Sequence, residues 1–404
     1  MASNSKNLAE LLNGDVTLTA TDIEDGAVTT AKLADDAVTT TKVADTVNLG
    51  RRNMIINGAM QVAQRGTIFT TVSSGAYSCD RWISEHDSAT FNLDFEQIGG
   101  SAPVGFNYSL KSTVQTTATL TSSGYIIPFT QRFERNIVDR IGLGTSDAKP
   151  FTLSFWIKSN RTGTYTVNPT LDSPTSTSGQ SITKQYTIDA VDTWEYKTIL
   201  FPANTNASPN VSFNAKAMTF YFWMIAGSSF TSGTLPTGWK SEVASERAVG
   251  CSNSTTTGDY WQITGVQLEV GDTATPFEHL SYGEELAGCM RYFETSFNAS
   301  QTPAGGLAGV DRSAGIAFAT NAIGNEKEFM VPKRSSPTMT FYRGNNSGST
   351  NSGTVGVYTG TWSEAGVSGY NAKETRYRVD ISKSGLTAGN VYLLDYQYTA
   401  EAEL

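Results

Sequence analysis

The chain has two histidines, His86 and His279. Any Ser-His-Asp or Cys-His arrangement would need one of them, and no Gly-x-Ser-x-Gly elbow surrounds a serine. His86 lies in Ser84-Glu-His-Asp87, where a solvated turn is expected. His279 lies in Pro276-Phe-Glu-His-Leu280, where a hydrogen-bonded structural role is expected. Two histidines without a neighbouring ligand cluster do not make a zinc site. Cys79, Cys251 and Cys289 are far apart and form no C-x-x-C; reduced, buried thiols are the expectation, and a disulfide between two of them is the alternative. Glycoside cleavage needs two carboxylates about 5–9 Å apart, and spacing singles out no pair among 38 acids. The chain has no P-loop, dinucleotide fingerprint or Asp-rich calcium loop. The expectation is a non-enzyme with no catalytic residues, no metal ligands and no cofactor, although a structural calcium on scattered carbonyls is compatible with a jelly roll.

Binding chemistry is better represented. Trp239, Tyr358, Trp362 and Tyr370 lie in glycine-rich surroundings, not in alternating strands, and read as exposed aromatics. Tyr342, Arg343, Asn345 and Asn346 adjoin a polar loop, Gly344–Gly353, that reads as a mobile surface feature. An aromatic ring packs against the C–H face of a sugar while amides and guanidinium groups bond its hydroxyls, the usual division between apolar wall and polar anchors. Tyr342, Arg343, Asn345, Tyr358, Trp362, Tyr370 and Trp239 are therefore the candidate glycan contacts. In Asp80-Arg-Trp82, Arg81 is expected to pair with a neighbouring acid while Trp82 fills the core.

These residues need a scaffold of strands. Hydrophobic residues make up 39% and charged residues 17%, and 37 glycines outnumber 12 prolines, which is a β-rich, turn-rich composition. No stretch reaches the roughly 18 apolar residues of a membrane helix, and the amino end lacks the pattern of a signal peptide. A formal charge of −9 argues against sequence-blind nucleic-acid binding. Phe151, Leu153, Phe155 and Ile157 alternate on one strand face, residues 219–226 suit a buried central strand, and Tyr260–Val270 alternates throughout. A helical interruption is expected near Gln131–Ile141. Residues 51–280 thus read as one β-sandwich or jelly roll. Ser281-Tyr-Gly-Glu284 is a capping box opening a linking helix over 281–295, with Tyr282, Leu286, Cys289 and Phe293 as its buried stripe. Residues 296–404 read as a separate, small, receptor-facing β domain. Its strand candidates are Ile316–Ala319, Glu328–Val331, Met339–Tyr342, Arg376–Ile381 and Val391–Tyr398.

The amino end differs. Residues 5–14 read as a short helix, within a docking segment 1–14, whose Leu8, Leu11 and Leu12 need a partner. A repeat follows over 15–50, with Leu18, Ile23, Val28, Leu33, Val38 and Val43 falling every five positions. A single thread has no interior in which to bury them, whereas several parallel copies do. These six residues are the oligomerisation candidates, and the segment reads as a stalk.

The run Arg52-Asn-Met-Ile-Ile-Asn-Gly-Ala-Met-Gln-Val-Ala-Gln-Arg-Gly66, followed by Tyr77-Ser-Cys-Asp-Arg-Trp82, resembles the opening of phage tail-fibre and receptor-binding proteins of the marine-phage type. Gln267-Leu-Glu-Val-Gly271, Thr275-Pro-Phe-Glu278, Ser281-Tyr-Gly-Glu-Glu-Leu286 and Cys289-Met-Arg-Tyr-Phe293 resemble the close of their carbohydrate-module-like jelly roll. The stalk repeat is similar to their shafts, and Tyr396–Leu404 to their ends. The resemblance implies a homotrimeric virion protein, docked on tail or capsid proteins through its amino end. Its partner would be host-surface polysaccharide, with no nucleic acid and no membrane insertion. The rivals are a decoration fibre or adaptor without a ligand, and a polysaccharide depolymerase. No catalytic residue carries over.

Overall fold

Strict alternation on some strands and unbroken apolar runs on others sort the middle of the chain into two packed sheets. The structure, a computed structural model, describes residues 29, 51–87, 91–117, 119–172, 179–207, 213–297, 312–343 and 353–404. The chain divides into two units, Met1–Arg51 and Arg52–Leu404. The docking segment and the stalk positions Leu18, Ile23, Val28, Leu33, Val38 and Val43 lie outside the described residues, as do Asn345 and Asn346.

The strands of the sandwich are β1 (Ile68–Val72), β2 (Ile83–His86), β3 (Phe91–Gly99), β4 (Tyr108–Thr117), β5 (Tyr125–Glu134), β6 (Phe151–Ser159), β7 (Gly163–Leu171), β8 (Gln180–Ser181), β9 (Lys184–Ile188), β10 (Glu195–Phe201), β11 (Lys216–Trp223), β12 (Ile225–Ala226), β13 (Lys240–Ser241) and β14 (Tyr260–Val270). One sheet runs β1-β3-β4-β14-β6-β10. The other runs β12-β5-β11-β7-β8-β13, with β2 added on β5 and β9 on β7. Leu153, Phe155 and Ile157 point inward from β6, and Phe220 and Phe222 meet them from β11, which lies between β5 and β7. Phe155 and Phe222 pack edge to face with ring centroids 5.3 Å apart. The apolar run 219–226 is thus a central strand with a short sequel, as expected. The helix expected over Gln131–Ile141 is shorter. Gln131 and Phe133 belong to β5, and only α1 (Arg135–Val138) and a 3₁₀ turn, Asp139–Ile141, are helical.

A single turn, α2 (Ser228–Thr231), precedes the capped helix α3 (Tyr282–Met290). The capping box is complete, with the Ser281 side chain accepting from the Glu284 amide and the Glu284 carboxylate accepting from the Ser281 amide. The helix stops at Met290, short of 295, because Phe293–Thr295 forms β15. The expected stripe shifts accordingly. Tyr282 is exposed and Leu286 half-buried, while Glu285, Cys289 and Tyr292 are buried.

The remaining strands are β16 (Arg312–Ala319), β17 (Ala322–Glu328), β18 (Thr338–Tyr342), β19 (Thr354–Tyr358), β20 (Trp362–Ala372), β21 (Arg376–Ser382), β22 (Val391–Asp395) and β23 (Gln397–Glu401). Six of them close a barrel in the order β16-β17-β21-β20-β19-β22, and β15-β23-β18 make a small sheet. Phe329–Val331 falls outside the strands, and the run 391–398 is split at Tyr396 between barrel and small sheet. The barrel is not set apart from the sandwich, since both belong to the unit Arg52–Leu404. Outside the barrel, Ile316, Phe318, Val391 and Leu393 are exposed on the paired strands β16 and β22. Among the described residues no helix is long and apolar enough to cross a membrane.

The sandwich is closed by a polar clasp built from the recognised motifs. The Glu278 carboxylate accepts the amides of Arg52 (2.8 Å) and Asn53 (2.7 Å). Asn53 Oδ1 accepts the amides of Ile55 (2.9 Å) and Leu268 (3.0 Å). Asn57, at φ +61°, takes its amide to Glu285 and its side chain to the carbonyls of Val62 and Asp80. A Cβ on Gly58 would stand 2.1 Å from the Val266 carbonyl oxygen, so only glycine lets the strand pass. Trp82 fills the core and donates its indole N–H to the Asn57 carbonyl at 3.0 Å. Arg81 pairs with an acid as expected, and the acid is Glu403, from the far end of the chain. Its guanidinium also lies 3.5 Å from the Tyr292 ring centroid and donates to the Arg132 carbonyl at 2.6 Å. Burial alone would depress the Arg81 pKa, and the Glu403 carboxylate, together with Tyr292, Tyr77 and Cys289, raises it above its ordinary value. Asp80 is pushed up to about 6 by burial, against the pull of Arg65. Breaking a buried pair from one side costs about 3–5 kcal/mol because a charge is left uncompensated. Glu403→Gln should therefore lower the urea unfolding free energy by about that amount; a loss under about 1 kcal/mol would mean that the pair is not a working part of the clasp.

Candidate aromatic binding face

Alternation places every second residue of the β14-β6-β10 region on the side facing away from the core. On that side β6 carries Trp156 and Lys158, β14 carries Tyr260, Gln262 and Thr264, and β4 carries Lys111. The register aligns them in rows. Trp156 stands between Thr264 and Tyr196, while Gln262 stands between Lys111 and Lys158. Cross-strand partners share one face, so the rows form one surface. Trp156 and Tyr196 have ring centroids 5.2 Å apart, and Tyr196 is 44% exposed. Phe106, Phe277 and His279 form a wall beside them, with Phe106–Phe277 at 5.0 Å and Phe277–His279 at 4.9 Å. Between wall and sheet is a cleft of about 520 Å³, floored by Trp156, Ser154 and Gly265.

A bulge in β14 makes that floor. Gly265 has φ +61°, and a Cβ there would lie 2.6 Å from the Phe106 ring and 3.1 Å from Trp156. The bulge lets the Phe106 wall close on the sheet without covering Trp156. Polar groups sit in the next row. Gln262 donates to Ser109 Oγ at 2.5 Å, and Trp194 donates to the Ser101 carbonyl at 2.8 Å. Lys111 Nζ lies 4.5 Å from the Tyr260 ring centroid and Lys158 Nζ 5.1 Å from that of Trp194. The Tyr260 hydroxyl donates to Asp192, and burial together with that carboxylate holds the phenol well above its ordinary range. Burial lowers the Lys158 pKa, Lys111 pushes the same way, and Asp192 opposes them. Flat rings beside cations can hold a polyhydroxylated chain lying across the strands.

The residues expected from sequence to contact glycan lie elsewhere, Trp239 on the sandwich and the other described ones on or beside the barrel strands. Trp239 is half-buried instead of exposed: its ring packs on Phe151 and its N–H donates to the Pro202 carbonyl at 2.7 Å. Tyr358, Trp362 and Tyr370 lie on the barrel strands β19 and β20, not in irregular loops. Tyr358 and Trp362 face each other across a hairpin at 5.4 Å, with the Arg312 guanidinium 5.3 Å from the Trp362 ring. Tyr370 lies 6.0 Å from Phe341, beside a shallow cleft of about 330 Å³. Tyr342 and Arg343 are half-buried at the end of β18, and Arg343 reaches Glu364 at 3.7 Å. His86 is buried, not solvated, beside Ser84 Oγ at 3.3 Å, and burial lowers its pKa. His279 is exposed, against Phe106 and Phe277. Cys79, Cys251 and Cys289 are all free and buried.

Trp156, Tyr196, Tyr260 and Trp194 were not among the sequence candidates. The signal that could have found them is an aromatic on the solvent side of an alternating strand. Trp156 occupies the phase opposite Phe155 and Ile157 and is only half-buried.

No family model matches the chain, and no curated protein matches it. Solved structures similar to it include the enzymatically active domain of bacteriophage CBA120 tailspike protein 4, at 13% identity and a TM-score of 0.27, over 50% of this chain and 22% of that one. A family 11 carbohydrate-binding module from Clostridium thermocellum, in complex with a mixed-linked tetrasaccharide, is similar at 10% identity and a TM-score of 0.27, over 52% of this chain and 99% of that one. A xylan-binding domain from Paenibacillus barcinonensis is similar at 14% identity and a TM-score of 0.28, over 47% of this chain and 92% of that one.

Because Trp156 packs on the sheet from outside, Trp156→Ala should change stability by no more than about 1 kcal/mol. Unfolding of the variant at the wild-type urea midpoint within about 0.5 M is the check; a drop of several kcal/mol would make Trp156 a core residue.

Proposed function

We propose that this protein is a non-enzymatic, glycan-binding virion component, a phage tail-fibre or receptor-binding protein that attaches the particle to host-surface polysaccharide. The observation that carries the glycan part is the outer sheet face on which Trp156, Tyr196, Tyr260 and Trp194 stand beside Lys111 and Lys158, with Gln262 buried beneath them. The virion part rests on the tail-fibre resemblance of the motifs and on the five-residue repeat.

The repeat calls for parallel copies, and the proposed assembly is a homotrimer. The exposed Ile316, Phe318, Val391 and Leu393 of β16 and β22 give copies of the chain a second apolar surface to share. Three linked sites can exceed one site's affinity by about 10²–10⁴ when all engage at once. Sedimentation equilibrium of the full chain should give a trimer, and deletion of residues 15–45 should give monomers with weaker retention on host polysaccharide. A trimer that survives the deletion would move assembly to the β domains, and a full chain that sediments as a monomer would end the fibre reading.

A further inference from the structure

Lys111 and Lys158 flank Gln262 on neighbouring strands, so their backbones stand roughly 9–10 Å apart across the sheet. Both are half-buried on the aromatic face, and among the described residues neither has a carboxylate within ion-pair distance. Each ammonium instead lies over a ring of the same face, Tyr260 or Trp194. Asp192 offsets part of the charge of Lys158, from beyond ion-pair distance. Glu96 is the register partner of Lys111 but is exposed and makes no ion pair with it, and Asp192 accepts the Tyr260 hydroxyl. Two like charges held side by side and partly out of water raise the energy of the empty face, and a bound anion would lower it. On a chain of net charge −9, such a cationic pair is a local exception.

Resting on the glycan-binding reading above, we propose that this face takes an acidic polysaccharide whose sugars carry carboxylates. Lys111 and Lys158 each pair with one carboxylate of the chain while Trp156 and Tyr196 stack against sugar rings. A lysine suits this role as a compact point charge that accepts carboxylates at varied angles. Strand spacing sets the separation of the two contacts, so a polymer with carboxylates at regular intervals satisfies both.

The test is affinity electrophoresis of the full chain through gels holding polygalacturonate, alginate or hyaluronate, each beside its carboxyl-reduced form, with dextran sulfate as a further arm. Retardation by at least one uronate polymer and not by its reduced form is expected. Lys111→Gln and Lys158→Gln should each weaken it about tenfold, the size of one charge-assisted hydrogen bond, and Trp156→Ala should abolish it. Equal retardation by parent and reduced polymers would overturn the charge assignment while leaving glycan binding standing. Retardation by dextran sulfate as strong as by any uronate, and unchanged in the lysine variants, would also overturn it, as nonspecific polyanion binding. Retardation by none of the polymers, charged or reduced, would overturn it and count against the glycan reading too.

Discussion

A guanidinium buried against Tyr292 and balanced by Glu403 ties the two ends of the described unit together. Around it the motif residues do one job. Asn53 and Asn57 hold the entry segment to Val266, Leu268, Val62 and Asp80 through their side chains, while Glu278 and Glu285 bring the exit segment onto the backbone amides of Arg52, Asn53 and Asn57. A buried, hydrogen-bonded charge is costly to leave half-made. The clasp therefore specifies one arrangement of start and end more than it adds stability. It also accounts for the burial of side chains as polar as Asn57, Asp80 and Arg81.

The barrel joins the same constraint. Lys333 is fully buried and donates to Glu294 at 2.6 Å and to the carbonyls of Met290 and Val331, each at 2.7 Å. Tyr398 donates to the other oxygen of Glu294 at 2.7 Å, and Arg334 donates to the carbonyls of Ala402 and Glu403. Glu294 lies on β15, immediately after α3, so the small sheet, the helix and the sandwich share one chain of ionic and hydrogen-bonded contacts. With the clasp holding the frame, the outer sheet face is free to carry side chains that contribute little to folding.

The sandwich was legible because its strands alternate under burial. Phe151, Leu153, Phe155 and Ile157 announce an inward face, and the 219–226 run announces a strand covered on both sides. The capping box announced where α3 begins, since its signal is local. Where α3 ends was not legible: Phe293–Thr295 pairs with β23, and that pairing depends on residues a hundred positions away. Strand β20 was hidden by Gly366 and Gly369, which read as loop but are accommodated in a small closed barrel. The proposed binding face was missed for a different reason. Its aromatics occupy the outward phase of strands already explained by their inward phase, and only the fold shows that Trp156 and Tyr196 become neighbours.

The central claim is that ligand meets the chain on the outer sheet face, while the motif-rich clasp only holds the frame. Hydrogen–deuterium exchange of the full chain, with and without saturating host polysaccharide, tests it directly. The account predicts added protection confined to peptides covering 100–113, 154–160, 192–198 and 260–279. Protection confined instead to the barrel hairpin around Tyr358 and Trp362, with the sheet face unchanged, would contradict it.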